Sequence, residues 1–175
     1  DPGPLMAELG VRSPYAVATL HRPANVDDPT TARRLVEGLA RVSSLLPIVL
    51  PLHPRGRAML ESQGLLGTTD ILVVDPLDYL GFMSLVSSAA LVLTDSGGIQ
   101  EETTVLGIPC LTLRPNTERP ITVTMGTNQL VGSDPDLIEA KAREAISAPT
   151  SGRVPPLWDG QAGQRGDGGC VAAGV

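Results

Sequence analysis

The sequence predicts an α/β fold, a parallel sheet with helices on both faces, and three observations carry that prediction. Short apolar runs alternate with segments of helical period, the pattern of successive βαβ units. The runs are apolar almost throughout, as expected of strands covered on both faces. With 42% hydrophobic residues, 18% charged and four aromatics, the 175-residue chain has the means for one aliphatic core.

The elements follow in order. Residues 1–14, rich in Pro and Gly, read as a linker or a worn helix. Tyr15–Leu20 is the first strand. Thr30–Leu46 is a helix, with Leu35, Leu39, Val42 and Leu46 on one stripe. Ile48–Leu52 is the second strand, Arg57–Gly64 a short helix and Ile71–Val74 the third strand. Asp78–Ala89 has a helical period in Leu80, Met83, Leu85 and Val86, and Ala90–Leu93 is the fourth strand. Gly98–Leu106 is a helix stopped by Gly107 and Pro109, and Cys110–Leu113 is the fifth strand. Asn128–Val131 is a sixth strand, and Pro135–Ser147 a helix with proline at its first position. Residues 15–150 thus form one domain. Residues 151–175 hold many glycines without helical period and are expected to be irregular or disordered.

Several classes of function are disfavoured. A net charge of −6 argues against a nucleic-acid surface while leaving room for a local basic pocket. No apolar run reaches the roughly 20 residues of a membrane helix, and the first residues do not resemble a signal peptide. Cys110 and Cys170 form no metal or redox motif, and Cys110 reads as core. A cytoplasmic setting is expected. The chain opens on Asp1 and reads as a piece of a longer protein.

In a parallel α/β sheet, ligands bind beyond the carboxyl ends of the strands. The residues after each strand are His21 and Arg22, then His53 and Arg55, Asp75 and Asp78, Asp95 to Gly98, and finally Arg114, Glu118 and Arg119. Both histidines of the chain fall on this rim. The sharpest feature is Leu91–Glu102, LVLTDSGGIQEE. Ser96 is placed to cap a helix, and Gly97 and Gly98 let a ligand approach the backbone N–H groups at its start. Glu102 lies about 9 Å further along the helix, at the usual rise of about 1.5 Å per residue. It suits a ribose diol, or else, with Glu101, it favours the positive helix end. His21 is a solvated loop residue or part of an anion pocket with Arg22. Arg119 offers its planar fork to phosphate or pairs with Glu118. His53 points into the cleft or caps the next helix, while Asp75 and Asp78 read as turn and cap residues rather than catalysts.

Five motifs in one order then make the sequence similar to a known family: TLHRPANVDDP (19–29), LPLHPRGR (50–57), DPLDYLGFMSLVSSAALVLTDSGGIQEE (75–102), LGIPCLTLRPNTERP (106–120) and GTNQLVGSD (126–134). Over residues 5–162 the chain resembles the carboxyl-terminal half of bacterial UDP-N-acetylglucosamine 2-epimerases. The resemblance implies a Rossmann-like nucleotide-binding domain, one half of a glycosyltransferase-B fold, with residues 1–14 the remnant of an interdomain segment. It implies interconversion of UDP-N-acetylglucosamine and UDP-N-acetylmannosamine by elimination and re-addition of UDP, without metal or redox cofactor. Ser96, Gly97 and Gly98 then match the diphosphate turn, Glu102 the ribose contact and Phe82 the uracil stretch. His21 and Arg119 match catalytic positions beside the diphosphate, and Arg22 and His53 lie in cleft or regulatory motifs.

The implied partners are a UDP-sugar, an amino-terminal domain and a second copy in a homodimer. The departures are Pro23, Ala24 and Ile121, and a Gly-rich tail for which a frameshift near Arg165 would account. Rival readings are a hydrolysing 2-epimerase, a glycosyltransferase-B sugar transferase and a non-catalytic UDP-binding module. No GxGxxG follows the first strand, which disfavours a dinucleotide dehydrogenase.

Overall fold

The computed structural model describes residues 3–22, 25, 27–62, 70–148 and 154–161. Helix α1 (Gly3–Leu9) leads into β1 (Ala16–Thr19), α2 (Pro29–Ser43), β2 (Ile48–Pro51), α3 (Pro54–Ser62) and β3 (Ile71–Val74). Then come α4 (Tyr79–Ser87), β4 (Leu91–Thr94), α5 (Gly97–Leu106), β5 (Cys110–Thr112), α6 (Pro120–Thr124), β6 (Asn128–Leu130) and α7 (Pro135–Ser147). The strands form one parallel sheet in the order β3-β2-β1-β4-β5-β6, with Val17 beside Val49 on one side and Val92 on the other. The strand order reverses between β1 and β4, so a ligand crevice is expected beyond their carboxyl ends.

The two faces of the sheet are read by alternate residues. Ala16, Ala18, Ile48, Leu50, Leu91, Leu93, Leu111 and Leu113 point to one side, where Leu35, Leu39 and Val42 of α2 and Ile138, Ala142 and Ala145 of α7 cover them. Val17, Val49, Val74 and Val92 point to the other, under Leu85 and Val86 of α4, with Met6 and Leu9 of α1 packed alongside. Within the segment read as a linker or a worn helix, α1 contributes to this second layer. Toward β5 and β6 that layer turns polar. Thr94, Gln100, Thr103, Thr104, Thr112, Thr122 and Asn128 are all buried there.

Local signals explain the helix ends. Asp28 caps α2 by accepting from the Thr31 N–H at 2.9 Å, and Asp134 caps α7, each followed by proline at the first helical position. Asp78 caps α4, accepting from the Gly81 N–H at 2.7 Å. Gly107, at φ +71°, closes α5 in the left-handed conformation that glycine adopts most readily. The short helix α6 escapes the sequence reading, since five residues are too few to display a period. Residues 154–161 form turns and bends only, while 162–175, on which most of the expected disorder falls, lie outside the described residues, as do Pro23 and Ala24.

Candidate functional site

Beyond the carboxyl ends of β1, β2 and β4 lies a cavity of about 320 Å3. Its lining includes His21 from the β1 loop, His53 from the β2 loop, Leu77 and Phe82 before and within α4, and Ser96 and Ile99 at the start of α5. The structure thus brings His21, His53, Phe82 and Ser96 to one place. The loop carbonyl of His53 also accepts from the Arg57 N–H at 3.0 Å, so the residue both faces the cavity and stabilises the start of α3.

The turn into α5 differs in detail from expectation. Ser96 occupies the cap position, but its side chain makes no capping bond; its N–H donates to Thr94 Oγ1 at 3.0 Å. The helix begins at Gly97, one residue earlier than predicted. Neither Gly97 nor Gly98 has a positive φ, and a Cβ on either would meet no crowding: the nearest atom to Gly97 would be Arg119 Cγ at 3.9 Å, and Gly98 would have nothing within 4 Å. The glycines are not demanded by the chain's own packing. What their missing side chains leave clear is the approach to the unpaired N–H groups that open every helix.

A buried carboxylate, Asp95, holds the facing loop. It is fully buried, and it accepts from the His21 N–H at 3.0 and 3.1 Å, the Arg22 N–H at 2.9 Å and Asn25 Nδ2 at 3.1 Å. Asn25 also donates to the Leu113 carbonyl, so the β1 loop is tied to both β4 and β5. Sequence reasoning placed Asp95 on the rim without a role; a carboxylate directly after an apolar strand was its only signal.

Arg22, Arg114 and Arg119 of the rim are already paired. Arg114 grips Glu118 with two bonds of 2.8 Å, and Arg22 Nη2 reaches the same carboxylate at 3.3 Å. The hydrogen bonds from Arg114, with the charge of Arg22 added, lower the Glu118 carboxyl to about 2. The carboxylate that Arg119 pairs with is Glu101, at 2.9 Å, rather than the Glu118 that stood as the alternative to phosphate. Three arginines therefore pair with two acids, Glu101 and Glu118, with the Asp95 carboxylate buried nearby, and the rim is not the simple basic pocket that the charge pattern allowed. Behind it, Gln100 Oε1 accepts from Thr117 Oγ1 and Asn128 Nδ2, and Thr117 Oγ1 accepts from the Arg119 N–H at 2.9 Å. The backbone of Arg119 is thereby fixed from the interior.

Glu102 lies on the α5 face beyond this cavity. It lines a second one, of about 370 Å3, with Met83, Val105, Leu106 and Trp158, and Tyr79 borders both. Tyr79 Oη donates to Glu102 Oε1 at 3.1 Å, and this bond raises the tyrosine's pKa. The first turn of α5 contains no acidic residue, which weakens the helix-end explanation of Glu101 and Glu102. Cys110 is core as expected, its thiol pushed up to about 12 by burial. Among the described residues no three His, Cys, Asp or Glu side chains are grouped to hold a metal ion, and no helix is long and apolar enough to cross a membrane.

Strand order, crevice and glycine turn together define a Rossmann-type α/β unit with an open crevice at the switch point. The model of the UDP-N-acetylglucosamine 2-epimerase family matches residues 5–166, and the chain belongs to that family. It is 42% identical over 139 residues to the UDP-2,3-diacetamido-2,3-dideoxy-D-glucuronate 2-epimerase of Pseudomonas aeruginosa, covering 79% of this chain and 39% of the relative. It is 38% identical over 157 residues to the UDP-N-acetylglucosamine 2-epimerase of Methanocaldococcus jannaschii, covering 86% and 43%. The crystal structure of the M. jannaschii enzyme in complex with UDP-GlcNAc and UDP matches with TM-score 0.82 at 34% identity, over 93% of this chain and 46% of that one. The chain spans less than half the length of these relatives, in keeping with one half of a glycosyltransferase-B architecture.

Proposed function

We propose that this chain is the UDP-binding half of an epimerase that inverts C2 of a UDP-activated 2-acetamido sugar, interconverting UDP-N-acetylglucosamine and UDP-N-acetylmannosamine. The observation that carries the reading is the open glycine turn of α5 at the switch point, flanked by His21, Phe82 and Arg119. The diphosphate lies against Ser96, Gly97 and Gly98, the uracil beside Phe82 and the ribose at Glu102. UDP leaves as the C1–O bond and the C2–H bond break, giving an unsaturated sugar. It adds back after C2 is protonated on the other face. His21 and Arg119 balance the charge that builds on the departing diphosphate, and such electrostatic stabilisation is commonly the largest catalytic contribution. Arg119 must then exchange Glu101 for phosphate.

The acid and base at C2 belong to the amino-terminal half, residues 1–14 being the remnant of the segment that leads to it. Residues 15–150 form the nucleotide domain, and Trp158 of the 151–175 tail lines the cavity beside Glu102. Arg22 and His53 face the cleft that the two halves enclose, with the full protein a cytoplasmic homodimer.

The test is calorimetric titration of the chain with UDP and with NAD. UDP binds and NAD does not. Arg119→Ala and Glu102→Ala each weaken UDP about tenfold, the scale of one charge-assisted hydrogen bond. Equal UDP affinity in the wild type and both variants would overturn the site, and epimerase turnover by the isolated chain would overturn the division of labour.

A further inference from the structure

The proposed function leaves Tyr79 unused, although its ring lines the same cavity as Phe82 and Ser96. It stands at the first position of α4, held there by the Asp78 cap, and it is 65% exposed. A large exposed ring has little packing to fix it. Its hydroxyl nevertheless crosses from α4 to α5 and donates to Glu102 Oε1 at 3.1 Å. The ring also borders both cavities, the one holding Phe82 and Ser96 and the one holding Glu102.

A glutamate on a helix surface samples several rotamers, and ordering it on binding weakens the contact it makes. A tyrosyl hydroxyl on one carboxylate oxygen removes that disorder beforehand and leaves the other oxygen as an acceptor. Phe82 and Ser96 mark the two ends of a bound nucleoside diphosphate in the proposed reading, and Tyr79, which borders their cavity, joins it to the neighbouring one that Glu102 lines.

We propose that Tyr79 is a positioning residue for the ribose: by holding Glu102 Oε1 it presents Oε2 to the 2′,3′-diol and makes the site selective for nucleotides with an intact diol. The proposal rests on the assignment of Glu102 to the ribose. It differs from a structural tie between α4 and α5, which would affect every ligand alike, and from stacking of Tyr79 on the base, which would do the same.

The experiment measures dissociation constants of UDP and of 2′,3′-dideoxyuridine diphosphate for the wild type, Tyr79→Phe, Glu102→Ala and the double variant. Tyr79→Phe keeps the ring and removes the hydroxyl. It weakens UDP by about three- to tenfold but the dideoxy nucleotide by less than about twofold, and the loss disappears when Glu102 is already alanine. Equal losses for both nucleotides, or a loss that persists in the Glu102→Ala background, would overturn the proposal. If UDP binds the wild type and Glu102→Ala equally well, the ribose assignment itself fails and the proposal falls with it. If Glu102→Ala is weakened but Tyr79→Phe is not, the proposal alone fails.

Discussion

The cavity has two walls of opposite construction. On the β1, β4 and β5 side, polar groups interlock: Asp95 holds the main chain of His21 and Arg22, Glu118 joins Arg22 to Arg114, and Gln100 and Thr117 fix Arg119 from behind. On the β2 and β3 side the wall is made of Pro51, Pro76, Leu77 and Phe82, with His53 on an exposed loop. The first wall presents groups whose positions are set before a ligand arrives, which is what stabilising a developing charge requires. The second offers apolar surface that a flat base can use without fixed directions. The sheet is continuous beneath both, so the difference arises from the residues that follow each strand.

The largest effect expected from breaking the comparison is at Asp95. Asp95→Ala leaves the part-buried His21 and Arg22 N–H groups without their acceptor and Asn25 Nδ2 with the Leu113 carbonyl alone. At about 1–3 kcal/mol for each buried group left unpaired, a loss of about 3 kcal/mol or more in guanidinium unfolding is expected. Amide exchange at His21 and Arg22 should accelerate even under native conditions. A loss below about 1 kcal/mol would mean that this wall is not pre-set.

Phe82→Ala probes the other wall. The ring is half-buried, packed against the cluster of Val17, Val49 and Val92. A loss of about 1–2 kcal/mol is expected, below the range for fully buried phenylalanine. Amide protection at His21 and Arg22 should stay unchanged. If it falls as in Asp95→Ala, the two walls are one cooperative unit and the distinction drawn here is wrong.

The apolar architecture was open to reading from the sequence because it is written in local patterns. Ile71–Val74 and Pro135–Ser147 match the observed elements residue for residue, and the rim lies at the strand ends as expected. The charged wall was less open because its partners are far apart in the chain. Asp95 meets the loop around His21 from a strand next in the sheet but distant in sequence, and Glu118 meets Arg22 across nearly 100 positions. For Arg119 the sequence offered phosphate or its neighbour Glu118, yet the α6 turn sends it toward Glu101. Gln100 gave no signal at all: a glutamine at the start of a helix reads as surface, and only the polar layer under β5 and β6 gives it a buried partner in Asn128. Spacing along the chain reveals faces and ends, whereas the pairing of charges depends on how loops from different strands are folded over one another.

The smallest effect separates the charged wall's ionic part from its hydrogen-bonded part, and it depends on pH. Glu118 is held at about 2 against its ordinary 4.5, chiefly by the hydrogen bonds from Arg114. A carboxyl whose pKa is depressed in the folded state favours folding wherever it is ionised in both states. That contribution is complete above about pH 4.5 and is lost as the pH falls toward 2. In Glu118→Gln it is absent at every pH. The difference in unfolding midpoint between wild type and variant should therefore be level at neutral pH and shrink through the window from 4.5 to about 2. Because the Glu118 side chain is 52% exposed and that of Arg22 43%, the difference should be small and should narrow further in added salt. Asp95 lies at full depth behind it, so salt should leave the Asp95→Ala loss largely unaltered. A Glu118→Gln difference that stays constant through the acid window would show that the bridge between the β1 and β5 loops acts through shape rather than charge.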